Sequence, residues 1–129
     1  MSINPVGKWH EIVRTKDIVA LESLLAEKVV FHSPVVHSPQ PGRAITLKYL
    51  AAAFQAIFNE SFRYVREIVG ERDAALEFEV EIDGIRVNGV DLIAWNEAGE
   101  IVDFKVMVRP LKAINLVHQK MAEMLQVGR

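Results

Sequence analysis

The chain has 129 residues, 50% of them hydrophobic and 25% charged, with a formal net charge of −2 and no cysteine. That length supports one domain with a full apolar core, and the missing cysteines remove disulfides, thiolate metal sites and cysteine nucleophiles together. A pI of about 6.1 with no basic block excludes the electrostatic footprint of a nucleic-acid binder. No apolar run nears the roughly 20 residues of a membrane helix, and Met1-Ser2-Ile3-Asn4-Pro5 lacks a signal-peptide pattern, so the expectation is a cytoplasmic protein.

Asn4-Pro5 predicts a helix start, with a capping side chain and then proline at the first helical position. Val6, Trp9, Ile12 and Val13 follow at helical spacing. Asp17 is placed to cap a second helix whose apolar face is Ile18, Leu21, Leu24 and Leu25. Val29-Val30-Phe31 reads as a short strand. The stretch from His32 to Gly42, with three prolines, reads as an irregular loop. Leu47, Leu50, Ala51, Phe54, Ile57 and Phe58 then define an amphipathic helix.

From Phe62 the apolar period drops to two. Phe62 to Val69 and Leu76 to Ile82 read as strands. Asp83-Gly84 reads as a turn, and Asn88-Gly89 as a second turn or a bulge. Val90 to Trp95 is nearly all apolar, as expected for a strand covered on both faces. Asn96-Glu97-Ala98-Gly99 turns the chain, and Val102, Phe104, Val106 and Val108 alternate with polar partners up to Pro110. A terminal helix follows at about 111–126, with Leu111, Ile114, Val117, His118, Met121 and Leu125 as its stripe and Gly128 as its stop. Segregated helices and hairpin-linked strands mean an α+β domain with an antiparallel sheet. A bent, cone-shaped sheet wrapped around the long helix would enclose a cavity.

Two stretches carry a family resemblance. One is Leu24-Leu25-Ala26-Glu27-Lys28-Val29-Val30-Phe31-His32-Ser33-Pro34, running into Gly42 and the long helix. The other is Gly89-Val90-Asp91-Leu92-Ile93-Ala94-Trp95-Asn96, followed by Gly99-Glu100-Ile101. With the element order, they resemble the nuclear transport factor 2-like superfamily, in its SnoaL-like and ketosteroid-isomerase-like branch, over about residues 5–110. The segment from Phe104 to Ile114 is similar to small bacterial members. The resemblance implies a single domain over 1–129, a small-molecule pocket and a twofold dimer through the sheets. It also implies an oxyanion-stabilising acid at Asp91. The family's general base falls on Ser33, which cannot act as that base, and its tyrosine acid falls near Trp9, whose indole donates a hydrogen bond but is no comparable acid.

Asp91 is also singled out by the residues alone, because a carboxylate between Val90 and Leu92-Ile93 needs compensation. In a dry pocket its pKa would rise and its proton could serve a developing oxyanion. The structural alternative is a carboxylate paired with Arg86 or Lys105, or bonded to backbone amides. His37 is the candidate replacement base at the cavity mouth, against the alternative of an exposed loop residue. Strand alternation turns His32 away from Phe31 and Ser33. The candidate pocket wall is Trp9, Phe31, Ser33, Phe54, Phe58, Tyr64, Trp95 and Phe104. Glu77, Glu79 and Glu81 share a strand face and are better read as cross-strand partners of Arg63, Lys105 and Arg109 than as an acid–base pair. No metal motif, phosphate loop, dinucleotide fingerprint or nucleophile elbow occurs, so no metal or cofactor is expected. Two functions fit. One is a cofactor-independent isomerase, cyclase or hydrolase acting by acid–base chemistry on a compact, apolar, ring-containing molecule. The other is a non-catalytic ligand-binding or dimerisation module.

Overall fold

The computed structural model describes residues 3–127, so Gly128 and the opening Met1-Ser2 lie outside the described residues. Helix α1 (Val6–Thr15) turns Val6, Trp9 and Ile12 inward. Its start is capped by Asn4, whose Oδ1 accepts from the Val6 N–H at 2.8 Å. Pro5 occupies the cap itself, one residue before the expected first turn. Asp17 caps α2 (Ile18–Leu24) as its side chain accepts from the Ala20 N–H. Strand β1 (Leu25–His32) follows without a break and is longer than the three apolar residues that announced it. After the proline-rich loop, β2 (Gln40–Pro41) pairs briefly with β1, and α3 (Arg43–Ala56) carries Leu50 and Phe54 into the core.

Strands β3 (Arg63–Val69), β4 (Asp73–Ile82), β5 (Ile85–Trp95) and β6 (Ile101–Arg109) form an antiparallel meander, and α4 (Leu111–Val127) ends the chain. The open six-stranded sheet has the order β2-β1-β6-β5-β4-β3. It is mixed, because β1 runs parallel to β6 while every other pair is antiparallel. Asp83 and Gly84 both have positive φ, 52° and 78°, as a two-residue hairpin turn that matches strand twist requires.

Asn88-Gly89 is neither turn nor bulge, since β5 runs through it in unbroken register with β4. Glycine stands there for a different reason. A Cβ on Gly89 would lie 2.4 Å from the Phe78 ring and 2.8 Å from the Met107 carbonyl oxygen. The missing side chain makes room for the ring on the neighbouring strand.

Period-two alternation separates the sheet faces. The inner face holds Phe78 and Val80 of β4, Asp91 and Ile93 of β5, and Phe104 of β6, all buried. Two apolar clusters fill the space beneath the helices. One is centred on Trp9, Phe54, Ile93 and Ile101, the other on Ile57, Phe78, Val87 and Val117. Helix α4 belongs to the second cluster, so it lies on the inner face and does not cover the outer one. Lys120 Nζ reaches Asp83 Oδ2 at 2.9 Å and ties α4 to the β4–β5 turn. On the outer face Arg63 and Arg66 pair with Glu79 and Glu77, at 3.2 and 3.4 Å. Val90, Leu92 and Ala94 are only half-buried there, which departs from a strand covered on both faces. Among the described residues no helix is long and apolar enough to cross a membrane.

Candidate functional site

A cavity of about 160 Å³ lies between the inner face of the sheet, α3 and α4. Its walls come from Phe31 and the following loop, from Tyr49, Leu50 and Ala53 of α3, from Phe78, Asp91 and Phe104 of the sheet, and from one face of α4. The volume is close to that of an apolar protein cavity that accepts a single benzene-sized ring. The walls are apolar apart from Ser33, Tyr49, Asp91 and His118.

Asp91 is 3% exposed. Its place on the inner face is fixed by register, since it pairs with Leu76 of β4 and Val106 of β6. Arg86 and Lys105 fall on the outer face by the same alternation, so neither is its partner. The partner is Tyr64 of β3, whose hydroxyl reaches past β4 to Asp91 Oδ2 at 2.6 Å. Behind it, Trp9 Nε1 lies 2.8 Å from the Tyr64 oxygen. This chain has one possible polarity. An indole N–H only donates, so the Tyr64 oxygen accepts from Trp9 and its proton points at Asp91. Oδ2 is therefore an acceptor. Any proton that Asp91 carries sits on Oδ1, for which no hydrogen-bond partner occurs among the described residues.

Burial in this apolar setting pushes the Asp91 carboxyl from 3.8 up to about 7, with the Tyr64 hydrogen bond pulling the other way. Burial also holds the Tyr64 phenol well above its ordinary value, and the facing Asp91 charge and hydrogen bond act in the same direction. At neutral pH, Asp91 is thus poised between acid and conjugate base while Tyr64 keeps its proton. The His10 ring meets the Tyr64 ring edge-on at 5.0 Å and pairs with Glu67 on the far side.

Of the expected wall residues, Phe31, Ser33, Phe58 and Phe104 line the cavity. Trp9, Phe54, Tyr64 and Trp95 stand behind the lining. Trp9 packs between Phe54 and Phe104, with ring centroids 6.0 and 5.0 Å apart. His37 is exposed in the loop and lies outside the lining, whereas its neighbours Pro34, Val35 and Val36 belong to it. His32 points to the outer face, where Nε2 meets Asp103 Oδ1 at 2.9 Å. The reading of single residues missed two cavity groups, Tyr49 and His118. It also placed Tyr64 on the wall without seeing its bond to Asp91. His118 carried a signal, as the one titratable side chain in the stripe of the terminal helix.

Gly89 shapes this cavity through Phe78. The expected result of Gly89→Ala is displacement of the Phe78 ring into the cavity and a loss of about 1–3 kcal/mol from overpacking. Urea denaturation checks the loss, and binding of a single-ring ketone such as cyclohexanone should weaken in parallel.

The fold is α+β, and among the described residues Asp91 is the buried carboxyl, at the wall of a mainly apolar cavity. The chain belongs to the SnoaL-like domain family, whose model matches residues 6–104. It is similar to a steroid delta-isomerase from Pseudomonas aeruginosa, at 30% identity and a TM-score of 0.89, over 95% of this chain and 89% of that one. It is similar to an uncharacterised bacterial protein with a cystatin-like fold from Silicibacter pomeroyi, at 34% identity and a TM-score of 0.84, over 92% of this chain and 82% of that one. An NTF2-like protein of unknown function from Mesorhizobium loti shares the fold at 22% identity and a TM-score of 0.70, over 81% of this chain and 88% of that one. No curated protein matches the chain.

Proposed function

We propose that this SnoaL-like protein is a cofactor-independent isomerase that moves a proton within a compact, apolar, single-ring carbonyl compound. The observation that carries the reading is Asp91, buried and poised at about 7, with a single phenolic partner at the wall of a mainly apolar cavity. In this reading the protonated Oδ1 donates to the carbonyl oxygen as negative charge develops on it, and Tyr64 and Trp9 hold the carboxyl in that orientation. The 30% identity to a steroid delta-isomerase supports the reaction class. A cavity of about 160 Å³ argues for a ligand smaller than a four-ring steroid.

The test uses cyclohex-3-en-1-one, whose conversion to the conjugated enone is followed by ultraviolet absorbance. Asp91→Asn is expected to lower the rate by about 100- to 1,000-fold, the usual effect of removing an oxyanion donor, while cyclohexanone binding stays within a few-fold. Equal rates in variant and wild type would sink the reading. Ser33, standing where the family's base is expected, favours a second reading, a non-catalytic binding module. That module would bind cyclohexanone and show no Asp91-dependent rate. Either reading is compatible with a twofold dimer through the outer sheet face, where Ile68 and Met107 are exposed.

A further inference from the structure

Proton transfer between carbons needs a group to take the proton as well as a group to hold the oxygen, and Asp91 accounts only for the second. The expected position of the base is Ser33, which does line the cavity but as a hydroxyl. His37 lies outside the lining, and His32 is turned to the opposite face and engaged by Asp103. Among the described residues that line the cavity, one other side chain carries a ring nitrogen that can take up a proton. It is His118, one turn before Met121 and Ala122 on the face of α4 that closes the space.

His118 is exposed although it belongs to the lining, whereas Asp91 is closed off from solvent. The imidazole therefore stands at the mouth and the carboxyl deep inside. A cavity of about 160 Å³ leaves a single-ring ligand touching its walls on all sides. A ketone whose oxygen meets Asp91 then presents its ring carbons toward the mouth.

We propose that His118 is the catalytic base, and afterwards the acid, that carries the proton between two carbons of a substrate held by Asp91. The proposal rests on the isomerase reading above. The neutral imidazole takes the proton from the carbon next to the carbonyl. The C–H pair becomes the C=C bond of the enol, and the carbonyl π pair moves to oxygen, which takes the Asp91 proton. In the second half the enol returns that proton to Asp91 and its C=C–C=C electrons shift, so that the terminal carbon of the diene collects the proton from the imidazolium. Both groups end as they began, and no oxidant, reductant or water is consumed. The solvent-open ring also exchanges its proton with bulk water, so some of the transferred hydrogen should come from solvent.

The experiment compares wild type, Asp91→Asn, His118→Ala and His118→Gln with cyclohex-3-en-1-one, with and without added imidazole. Urea midpoints show that each variant is folded. The expected result is a loss of about 100-fold or more in kcat for His118→Ala, with KM little changed. Free imidazole should restore the rate of His118→Ala in proportion to its concentration, entering through the mouth that the ring vacated, and in D2O the restored product should carry deuterium. A purely structural role for the ring would not give that rescue. An Asp91-dependent rate that survives His118→Ala, or falls without imidazole rescue, overturns the assignment of His118 and leaves the isomerase reading standing. A wild-type rate no higher than that of Asp91→Asn overturns both.

Discussion

Asp91→Asn should stabilise the protein at pH 8 and leave it nearly unchanged at pH 4. Burial raises the folded-state carboxyl to about 7 from an ordinary 3.8. Between those values the unfolded chain has lost its proton and the folded one still holds it, so the native state binds more protons and unfolding becomes easier as pH rises. The stability linked to the neutral carboxyl is fully present below about pH 4 and gone above the folded value near 7. The gap corresponds to about 4 kcal/mol, at about 1.4 kcal/mol for each pH unit. Asparagine keeps the shape and an acceptor for the Tyr64 hydroxyl, but it does not titrate. Urea denaturation of both proteins from pH 4.5 to 8 checks this. The wild-type curve should fall across the window and the variant's should not, and parallel curves would refute the burial argument. A carboxyl that weakens the fold at working pH, with no compensating cation among the described residues, is what a stability–function trade-off looks like at a chemical site.

The local elements were readable because their signals are local. Alternation marked β4 through Phe78, Val80 and Ile82, Asp83-Gly84 marked its hairpin, and Asp17 marked the start of α2. Pairing over long distances was not readable. Nothing near Val30 says that it lies parallel to Asp103, because register there is set by packing of the whole sheet. Gly89 shows a local signal overridden by a distant one. Asn-Gly usually marks a turn, but here the glycine clears space for a ring 11 residues earlier in the chain, on the adjacent strand. The site divides in the same way. A carboxylate inside Val90-Asp91-Leu92-Ile93 stands out by its neighbours alone. Its hydroxyl partner lies 27 residues away and across an intervening strand, so it appears only when the sheet is assembled. His118 stood out as the one titratable side chain in the stripe of the terminal helix, but its place at the cavity mouth appears only when α4 packs against the sheet.

Tyr64→Phe should destabilise the fold and move the pH dependence of Asp91 upward at the same time. The phenol serves two buried groups at once, accepting from Trp9 Nε1 and donating to Asp91 Oδ2. Removing it orphans an N–H on a side chain with no exposure and an oxygen on one that is 3% exposed. A buried donor without a partner costs about 1–3 kcal/mol, and that loss should be visible at pH 5, where Asp91 is neutral. The Tyr64 hydrogen bond is also what holds the Asp91 carboxyl down against burial, because it favours the charged form. Without it the carboxyl keeps its proton to higher pH. The fall in stability seen in the wild type should therefore begin at the same acid end, set by the unfolded chain, but continue to a higher pH. Since Asp91 acts as a proton donor in the proposed reaction, the alkaline limb of the rate profile should move the same way, even as the less firmly held carboxyl lowers the maximum rate. A stability loss with no movement of the pH curve would make Tyr64 a packing residue only. Movement in both would show that the Trp9–Tyr64–Asp91 chain sets the acidity of the cavity as well as its architecture.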